Sequence, residues 1–229
     1  MRISAKDLGS MALDDFCPRC FYIKRSVKKL PFQIFPGIFS SIDSFTKKVV
    51  HHYIDIHKSA PPWIQNDYPF IITGYEKVPH WSKFCFEDPE TGITLSGVMD
   101  DVLTTSRGVI IPDYKTAKYT ENQDNLLPMY RVQLNGYAMI YEALNDAPVI
   151  ALPLYYCEPQ TTDADIEGNR VEGFSMNFDA KSLMVERNSN EVVALLHKAK
   201  EILDGDLPEP TEGCKDCEAL HNIKEMYAK

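Results

Sequence analysis

The sequence predicts an α/β (α+β) fold, in which a mixed central sheet is flanked by helices. Short runs of β-branched and aromatic residues, separated by turn signals at 88–92 and 105–108, indicate several strands. Longer segments with apolar residues three or four positions apart indicate helices. Helical segments precede, interrupt and follow the strands, and this order is typical of a sheet covered by helices.

Each element has its own signal along the chain. Apolar periodicity predicts a helix over 37–57, and periodicity together with Pro128 near the start predicts one over 128–145. A third helix is predicted over 189–204, where Asn188 or Ser189 can cap its start and Gly205 can end it. The proline-rich segment 60–70 and the polar segment 160–170 are predicted to be loops. Strands are predicted over 70–78, 83–87, 93–103, 108–115, 149–157 and 171–178.

Composition limits the protein class. Hydrophobic residues make up 44% and charged residues 25% of the 229, as in ordinary globular proteins. No apolar run approaches the roughly 18–20 residues of a membrane helix, and the N-terminus lacks a signal-peptide core, so we expect a cytoplasmic (intracellular) protein with no membrane partner. The sequence leaves the oligomeric state open. We expect one domain over 1–229, within which 1–30 and 206–229 form a cysteine-bearing subdomain.

The charge is unevenly distributed. The net charge of −9 argues against a protein that coats nucleic acid, but 16–42 contains basic residues and no acid. This segment could contact a few phosphates of DNA, or it could be a solvated basic face. The residues concerned are Arg19, Lys24, Arg25, Lys28 and Lys29.

An acid and a base follow a buried strand. Val109, Ile110 and Ile111 lead into Asp113 and Lys115, which are two positions apart and therefore share one face of a strand. The preceding strand carries Asp100 and Asp101, and alternation lets only one of them face Asp113. We expect this one to be Asp100. Two carboxylates directed at one point favour a bound cation such as Mg²⁺ or Mn²⁺.

Two other patterns are candidates for a functional role. Gln133 and Tyr137 share one face of the helix 128–145, where a glutamine needs a polar partner. His52 lies on the apolar stripe of the helix 37–57, formed by Ile38, Ile42, Phe45, Val49 and Ile56, which we expect to face the core.

Two C-x-x-C pairs lie at opposite ends of the chain. Cys17 and Cys20 form one pair, and Cys214 and Cys217 form the other. Together they predict a site with four thiolate ligands, for which zinc is suitable. A redox disulfide within one pair is an alternative. Cys85 and Cys157 lie in apolar strands and are expected to be core thiols.

The combination of Gly97-x-x-Asp100, Asp113-x-Lys115 and Gln133-x-x-x-Tyr137 resembles the PD-(D/E)XK nuclease superfamily, in its RecB-like branch. Cysteines at both ends resemble the members with an iron–sulfur cluster, which include CRISPR-associated and AddB-type nucleases. Those members usually have one N-terminal and three C-terminal cysteines, whereas this chain has two and two.

The resemblance implies a restriction-endonuclease-like core and a Mg²⁺- or Mn²⁺-dependent deoxyribonuclease. Asp100, Asp113 and the backbone carbonyl of Tyr114 would hold the ion, with His52 as a further candidate ligand. Lys115 would assist the attacking water, while Gln133 and Tyr137 would orient the site. The cysteines would hold a 4Fe–4S cluster or, alternatively, Zn²⁺.

The resemblance also implies a substrate and partners. The expected substrate is single-stranded or frayed DNA, cut by an exonuclease or a single-strand or flap-cleaving enzyme in DNA repair, recombination or CRISPR-type processing. A helicase or an integrase is a possible partner. An alternative is a DNA-binding or assembly module on the same fold with weak or no cleavage. A further alternative is a structural zinc protein whose acidic residues form ordinary salt bridges.

Overall fold

A computed structural model describes residues 1–27, 37–119, 125–162, 173 and 175–227 of the chain. The helices are α1 (Ala5–Gly9), α2 (Pro18–Ser26), α3 (Gly37–His57), α4 (Pro62–Gln65), α5 (Leu127–Leu144), α6 (Ser189–Asp204) and α7 (Lys215–Tyr227), with a 3₁₀ turn at Ser10–Ala12. The strands are β1 (Arg2–Ser4), β2 (Ile72–Tyr75), β3 (Cys85–Glu87), β4 (Thr94–Ser96), β5 (Leu103–Thr105), β6 (Gly108–Ile110), β7 (Asp113–Lys115), β8 (Val149–Pro159) and β9 (Phe178–Val185).

The strands form a large mixed sheet and a small one. In the large sheet, β5 and β6 form an antiparallel hairpin, and β6 and β7 both run parallel to the long strand β8, whose other edge pairs with β9. In the small sheet, β4 lies between β1 and β3. The mixed sheet flanked by helices that the sequence predicts is therefore confirmed.

The large sheet separates two apolar cores. Val109 and Ile111 point into the first core, which contains the inner faces of α1, α5 and α6, whereas Ile110 points into the second, which contains α3 and α4. The same alternation continues through β7, where Tyr114 belongs to the second core. Asp113 and Lys115 therefore emerge on the α5 side, at the end of the strand.

Several element boundaries differ from those predicted. The helices over 37–57, 128–145 and 189–204 are present within one residue at each end. The long strands predicted over 93–103 and 108–115 are each broken, the second at Pro112, which has no N–H for a ladder hydrogen bond. Most of the strand predicted over 171–178 lies outside the described residues, and the structure has β9 later, at Phe178–Val185.

The buried face of α3 is not the one predicted. Ile38, Phe45, Val49 and Ile56 are exposed, and the buried side chains are Val50 and Ile54. These two residues pack into the second core beside Ile72 of β2 and Tyr114 of β7. Because α3 carries two apolar stripes, its periodicity alone could not identify the stripe that contacts the sheet.

The N-terminal segment belongs to the main fold. β1 pairs with β4, and Ile3, Ala5 and Leu8 are buried in the first core. The cysteine-bearing unit predicted over 1–30 and 206–229 therefore shares its N-terminal half with the main domain. Among the described residues, no helix combines the length and the apolar character needed to cross a membrane.

Candidate active site and metal centre

A cleft with a volume of about 650 Å³ opens at the end of β7. It lies between α5, the N-terminal half of α3 and the segment 96–100. The sequence-predicted residues that it brings together are Asp100, Asp113, Tyr114, Lys115, Gln133 and Tyr137.

Asp113 is the most deeply buried acid of the cleft, with 3% of its surface exposed. Gln133 Nε2 donates a hydrogen bond to Asp113 Oδ1 at 3.1 Å, and Lys115 Nζ contacts Asp113 Oδ2 in an ion pair. A buried carboxylate is costly unless it is paired, and these two neighbours supply the pairing.

Lys115 is held between Asp113 and an aromatic ring. Its Nζ lies 4.4 Å from the centre of the Tyr130 ring, a cation–π contact. Burial favours the neutral amine, but the charge of Asp113 outweighs burial and raises the pKa of Lys115 above its ordinary value. Lys115 is therefore a fixed positive charge at the cleft.

Gln133 and Tyr137 form a hydrogen-bonded pair on α5. Gln133 Nε2 also donates to Tyr137 Oη at 2.9 Å, so one amide group joins the tyrosine to Asp113. The Tyr137 ring lies against Gly97, where an added Cβ would come within 2.3 Å of the ring. Gly97 is thus required because any side chain there would displace Tyr137.

Asp100 faces Asp113 across the cleft. The backbone N–H of Tyr114 donates to Asp100 Oδ2 at 2.9 Å, which fixes one carboxylate oxygen beside β7. Burial and the neighbouring charge of Asp113 raise the pKa of Asp100 to about 7. The two carboxylates repel each other, and this repulsion is the electrostatic condition that a bound cation relieves.

A polar stripe on α3 supplies one partner for Asp100 and one for Asp101. Lys47 Nζ lies 3.3 Å from Asp100 Oδ1 and 2.9 Å from Asp43 Oδ2, and Asp43 itself lines the cleft. One turn later, His51 Nε2 donates to Asp101 Oδ2 at 2.9 Å. Asp43, Lys47 and His51 are four residues apart, which places them on one helix face.

Asp101 is not part of the cleft lining. It is fully buried and also accepts hydrogen bonds from the Val102 backbone N–H at 2.9 Å and the Tyr114 hydroxyl at 3.3 Å. His51 stacks on Tyr75, with ring centres 3.7 Å apart. The acids diverge even though they lie in an irregular segment and not in the predicted strand.

His52 is not among the residues that line the cleft, and Asp43 and Lys47 of α3 were not predicted to act there. His52 lies on the exposed face of α3 with the apolar stripe, whereas His51 faces the sheet. Asp43 and Lys47 are spaced like an ordinary i, i+4 surface pair, so their role at the cleft was not apparent. The signal that could have identified them is their shared face with His51.

The predicted basic patch is neutralised within the chain. Arg19 pairs with Glu209 at 3.2 Å, and Lys24 and Arg25 both pair with Asp7, at 2.7 and 3.2 Å. Distant acids thus supply counter-charges to these three side chains, and their contact with DNA stays a prediction. Lys28 and Lys29 lie outside the described residues.

The four cysteines of the two C-x-x-C pairs converge. Their Sγ atoms all lie within 4.8 Å of one another, and Cys20 Sγ lies 3.5 Å from Cys214 and 3.3 Å from Cys217. Cys17 Sγ lies 3.7 Å from Cys217 and accepts the Thr211 backbone N–H. Burial opposes ionisation of Cys17, but hydrogen bonds from backbone N–H groups and the other thiols lower its pKa to about 6.

The donor set at the four cysteines fits a metal. A tetrahedral zinc ion with Zn–S bonds of about 2.3 Å separates its sulfurs by about 3.8 Å. The three Sγ distances of 3.3, 3.5 and 3.7 Å are close to this value. Cys85 and Cys157 lie outside the group, as predicted.

We expect the raised pKa of Asp100 to make metal-free protein less stable as the pH rises from about 4 to 7. In this range the folded state keeps the proton that the unfolded state releases, so the free energy of unfolding falls with increasing pH. Thermal melts in a chelator should show this fall, and Asp100→Asn should reduce it. An identical pH profile in both proteins would contradict the assigned repulsion.

We expect serine at Cys17, Cys20, Cys214 or Cys217 to remove the bound metal. Loss of about 3 kcal/mol of stability would lower the melting temperature by roughly 6–12 °C. Serine at Cys85 or Cys157 is the matched control and should retain the metal. Elemental analysis and thermal melts measure both effects, and full metal content in the four variants would refute the site.

The comparisons with known proteins agree with this geometry. A family model described as PD-(D/E)XK nuclease superfamily matches residues 17–221. One of the subunits of the ATP-dependent helicase/nuclease of Levilactobacillus brevis is 29% identical over 103 residues, which are 42% of this chain and 8% of that protein. The chain thus spans a small part of this relative.

Among solved structures, the crystal structure of SSO0001 aligns with a TM-score of 0.47 and 12% identity, over 90% of this chain and 77% of that one. The family match covers most of the chain, including Asp100, Asp113 and Lys115 and both cysteine pairs. The chain belongs to the PD-(D/E)XK nuclease superfamily.

Proposed function

We propose that the chain is a deoxyribonuclease that hydrolyses phosphodiester bonds with the help of Mg²⁺ or Mn²⁺. The observation that carries this proposal is the pair of facing carboxylates, Asp100 and Asp113, beside a lysine that is fixed by one of them. Membership of a nuclease superfamily supports the same reaction class.

Asp100 and Asp113 are the residues that would hold the ion, with the backbone carbonyl of Tyr114 as a third proposed ligand. Two carboxylates with backbone and water oxygens suit a hard divalent cation. When bound, such an ion supplies charge stabilisation at the phosphate and lowers the pKa of a coordinated water. Asp43 adds a third carboxylate to the wall of the cleft.

Lys115 acts on the phosphate by its charge. Its raised pKa keeps the side chain protonated near neutral pH, so it is suited to donate hydrogen bonds to the scissile phosphate and not to remove a proton from water. Water attacks phosphorus and releases a proton to solvent, a new P–O bond forms, the bond to the 3′ oxygen breaks, and the 3′ oxygen takes up a proton from solvent. Gln133 and Tyr137 hold Asp113 in position during this step.

Lys47 restrains the other carboxylate. Its ammonium group contacts both Asp100 and Asp43, and Lys115 pairs with Asp113, so each of the three cleft acids has an ammonium group beside it. With Lys6, which also lines the cleft, the three carboxylates are matched by three ammonium groups.

The proposal extends to the biological setting. The helicase/nuclease relative supports a nuclease that works with a helicase on single-stranded or frayed DNA, as an exonuclease or flap-cleaving enzyme in repair or recombination. CRISPR-type processing, with an integrase as partner, is the other proposed setting. The cell interior is the proposed location.

We further propose that the four cysteines hold one structural metal centre. The short Sγ distances support a single tetrahedral Zn²⁺, since a 4Fe–4S cluster would occupy the space between the sulfurs. The family resemblance supports the 4Fe–4S cluster. The visible spectrum and the iron, sulfide and zinc contents of anaerobically purified protein distinguish the two.

We expect cleavage of single-stranded DNA to require a divalent cation. EDTA should abolish product formation, and added Mg²⁺ or Mn²⁺ should restore it, because the facing carboxylates repel each other and need a cation. A gel assay with an end-labelled oligonucleotide measures this. Activity that survives chelation would refute the metal-dependent mechanism, and DNA binding without cleavage in any divalent ion would favour the binding-module alternative.

We expect the two adjacent acids to respond differently to the same substitution. Asp100→Asn and Asp113→Asn should reduce cleavage to background, and Lys115→Ala should reduce it at least about 100-fold, without loss of fold. Asp101→Asn should remain active but lose about 1–3 kcal/mol of stability, because Asp101 is a buried acceptor outside the cleft. Equal loss of activity from Asp100→Asn and Asp101→Asn would contradict the assignment.

A further inference from the structure

We propose that Trp81 is a stacking platform for an unpaired base of the DNA strand that enters the cleft. This inference rests on the proposed nuclease function and assigns to Trp81 the contact with an unpaired base. Trp81 lines the same cleft as Asp100 and Asp113, yet 53% of its surface is exposed. A large exposed ring beside a candidate reaction centre is an unusual use of tryptophan, which is normally well buried.

The segment that carries Trp81 is anchored in the protein. The backbone N–H groups of Lys83 and Phe84 donate to the His80 carbonyl, which closes a turn around Trp81. Phe84 is buried in the first core and packs edge-on against Tyr137, with ring centres 6.1 Å apart. The platform is therefore connected by direct packing to the tyrosine that is hydrogen-bonded to Gln133.

Arg2 fixes one side of the Trp81 ring. Its guanidinium lies 5.1 Å from the ring centre and donates to the Trp81 carbonyl at 2.7 Å. Arg2 is itself held by β1, which pairs with β4. A ring with a cation over one face is positioned before a ligand arrives, and aromatic rings of this kind stack on nucleic-acid bases.

The charges around Trp81 suit a phosphate backbone. Lys6 lines the same cleft and forms no ion pair with any described residue. Lys115 supplies a second positive charge near β7, whereas the cleft acids lie where a cation is proposed. A strand could thus direct a phosphate to the lysines and the metal site while its base lies on Trp81.

Stacking on a protein ring requires a base with a free face. In a duplex, each internal base is covered on both faces by its neighbours, so apart from the outer faces of the two terminal pairs only a single strand, a flap or a frayed end offers one without an unstacking cost. Trp81 therefore distinguishes single-stranded from double-stranded DNA at the cleft. A general electrostatic groove would bind both forms.

The first test uses the fluorescence of Trp81. The chain has two tryptophans, and the other, Trp63, packs against Tyr155 beside the second core, so Trp63→Phe leaves Trp81 as the only reporter. In EDTA, a 12-nucleotide single strand should quench this fluorescence and saturate, and the same sequence as a blunt duplex should quench it far less. No change at saturating single strand, or no oligonucleotide binding at all, would overturn the proposal.

The second test measures affinity in EDTA by fluorescence anisotropy of a labelled oligonucleotide. Trp81→Ala should weaken single-strand binding about ten-fold, Trp81→Phe should weaken it less, and duplex binding should change little. Phe45→Ala removes an exposed aromatic ring outside the cleft lining and is the matched control. Equal weakening for both DNA forms, or wild-type single-strand affinity, would overturn the proposal.

The outcomes separate this inference from the nuclease proposal. Binding in EDTA does not depend on cleavage, so loss of single-strand affinity in Trp81→Ala supports the platform even if the protein cuts nothing. Conversely, cleavage abolished by Asp113→Asn together with unchanged binding in Trp81→Ala would support the nuclease and reject the platform.

Discussion

The arrangement of the site depends on the burial of one charged carboxylate, that of Asp113. A strand that is apolar on both faces ends at Pro112, and the next residue places a carboxylate where only 3% of its surface is exposed. A charge in this position must be paired, and Lys115 and Gln133 provide the pairing from β7 and α5. The close contact of Tyr137 with Gly97 then follows, because Tyr137 supports the glutamine.

The helix α3 supplies partners for two further buried or partly buried carboxylates. Asp100 and Asp101 are adjacent and point in different directions, so one helix could serve both only with two basic residues one turn apart. Lys47 and His51 meet this requirement. Lys47 leaves Asp100 partly uncompensated beside Asp113, whereas Asp101 is satisfied by three donors. The first acid is therefore available for a ligand, and the second is structural.

The succession of helices and strands and several residues of the cleft could be anticipated because they follow from local pattern. The alternation of β7, the i, i+4 spacing of Gln133 and Tyr137 and the C-x-x-C spacing each specify geometry within a few residues. The buried face of α3 could not be predicted from local pattern. Packing against distant strands decides that Val50 and Ile54 are buried and that the other apolar stripe is exposed. The ion pairs of Arg19 and Lys24 could not be predicted either, because the tertiary fold determines that Glu209 and Asp7 are their partners.

The cysteine group and the cleft are connected through the N-terminal segment. Cys17 and Cys20 begin the helix α2, and Arg25 at its other end contacts both Asp7 and the backbone carbonyl of Arg2. Arg2 in turn lies over Trp81. A metal at the cysteines closes a loop of almost the whole chain and so removes much conformational freedom from the unfolded state. It also fixes the start of α2, and with it the residues that position the N-terminal strand at the edge of the cleft.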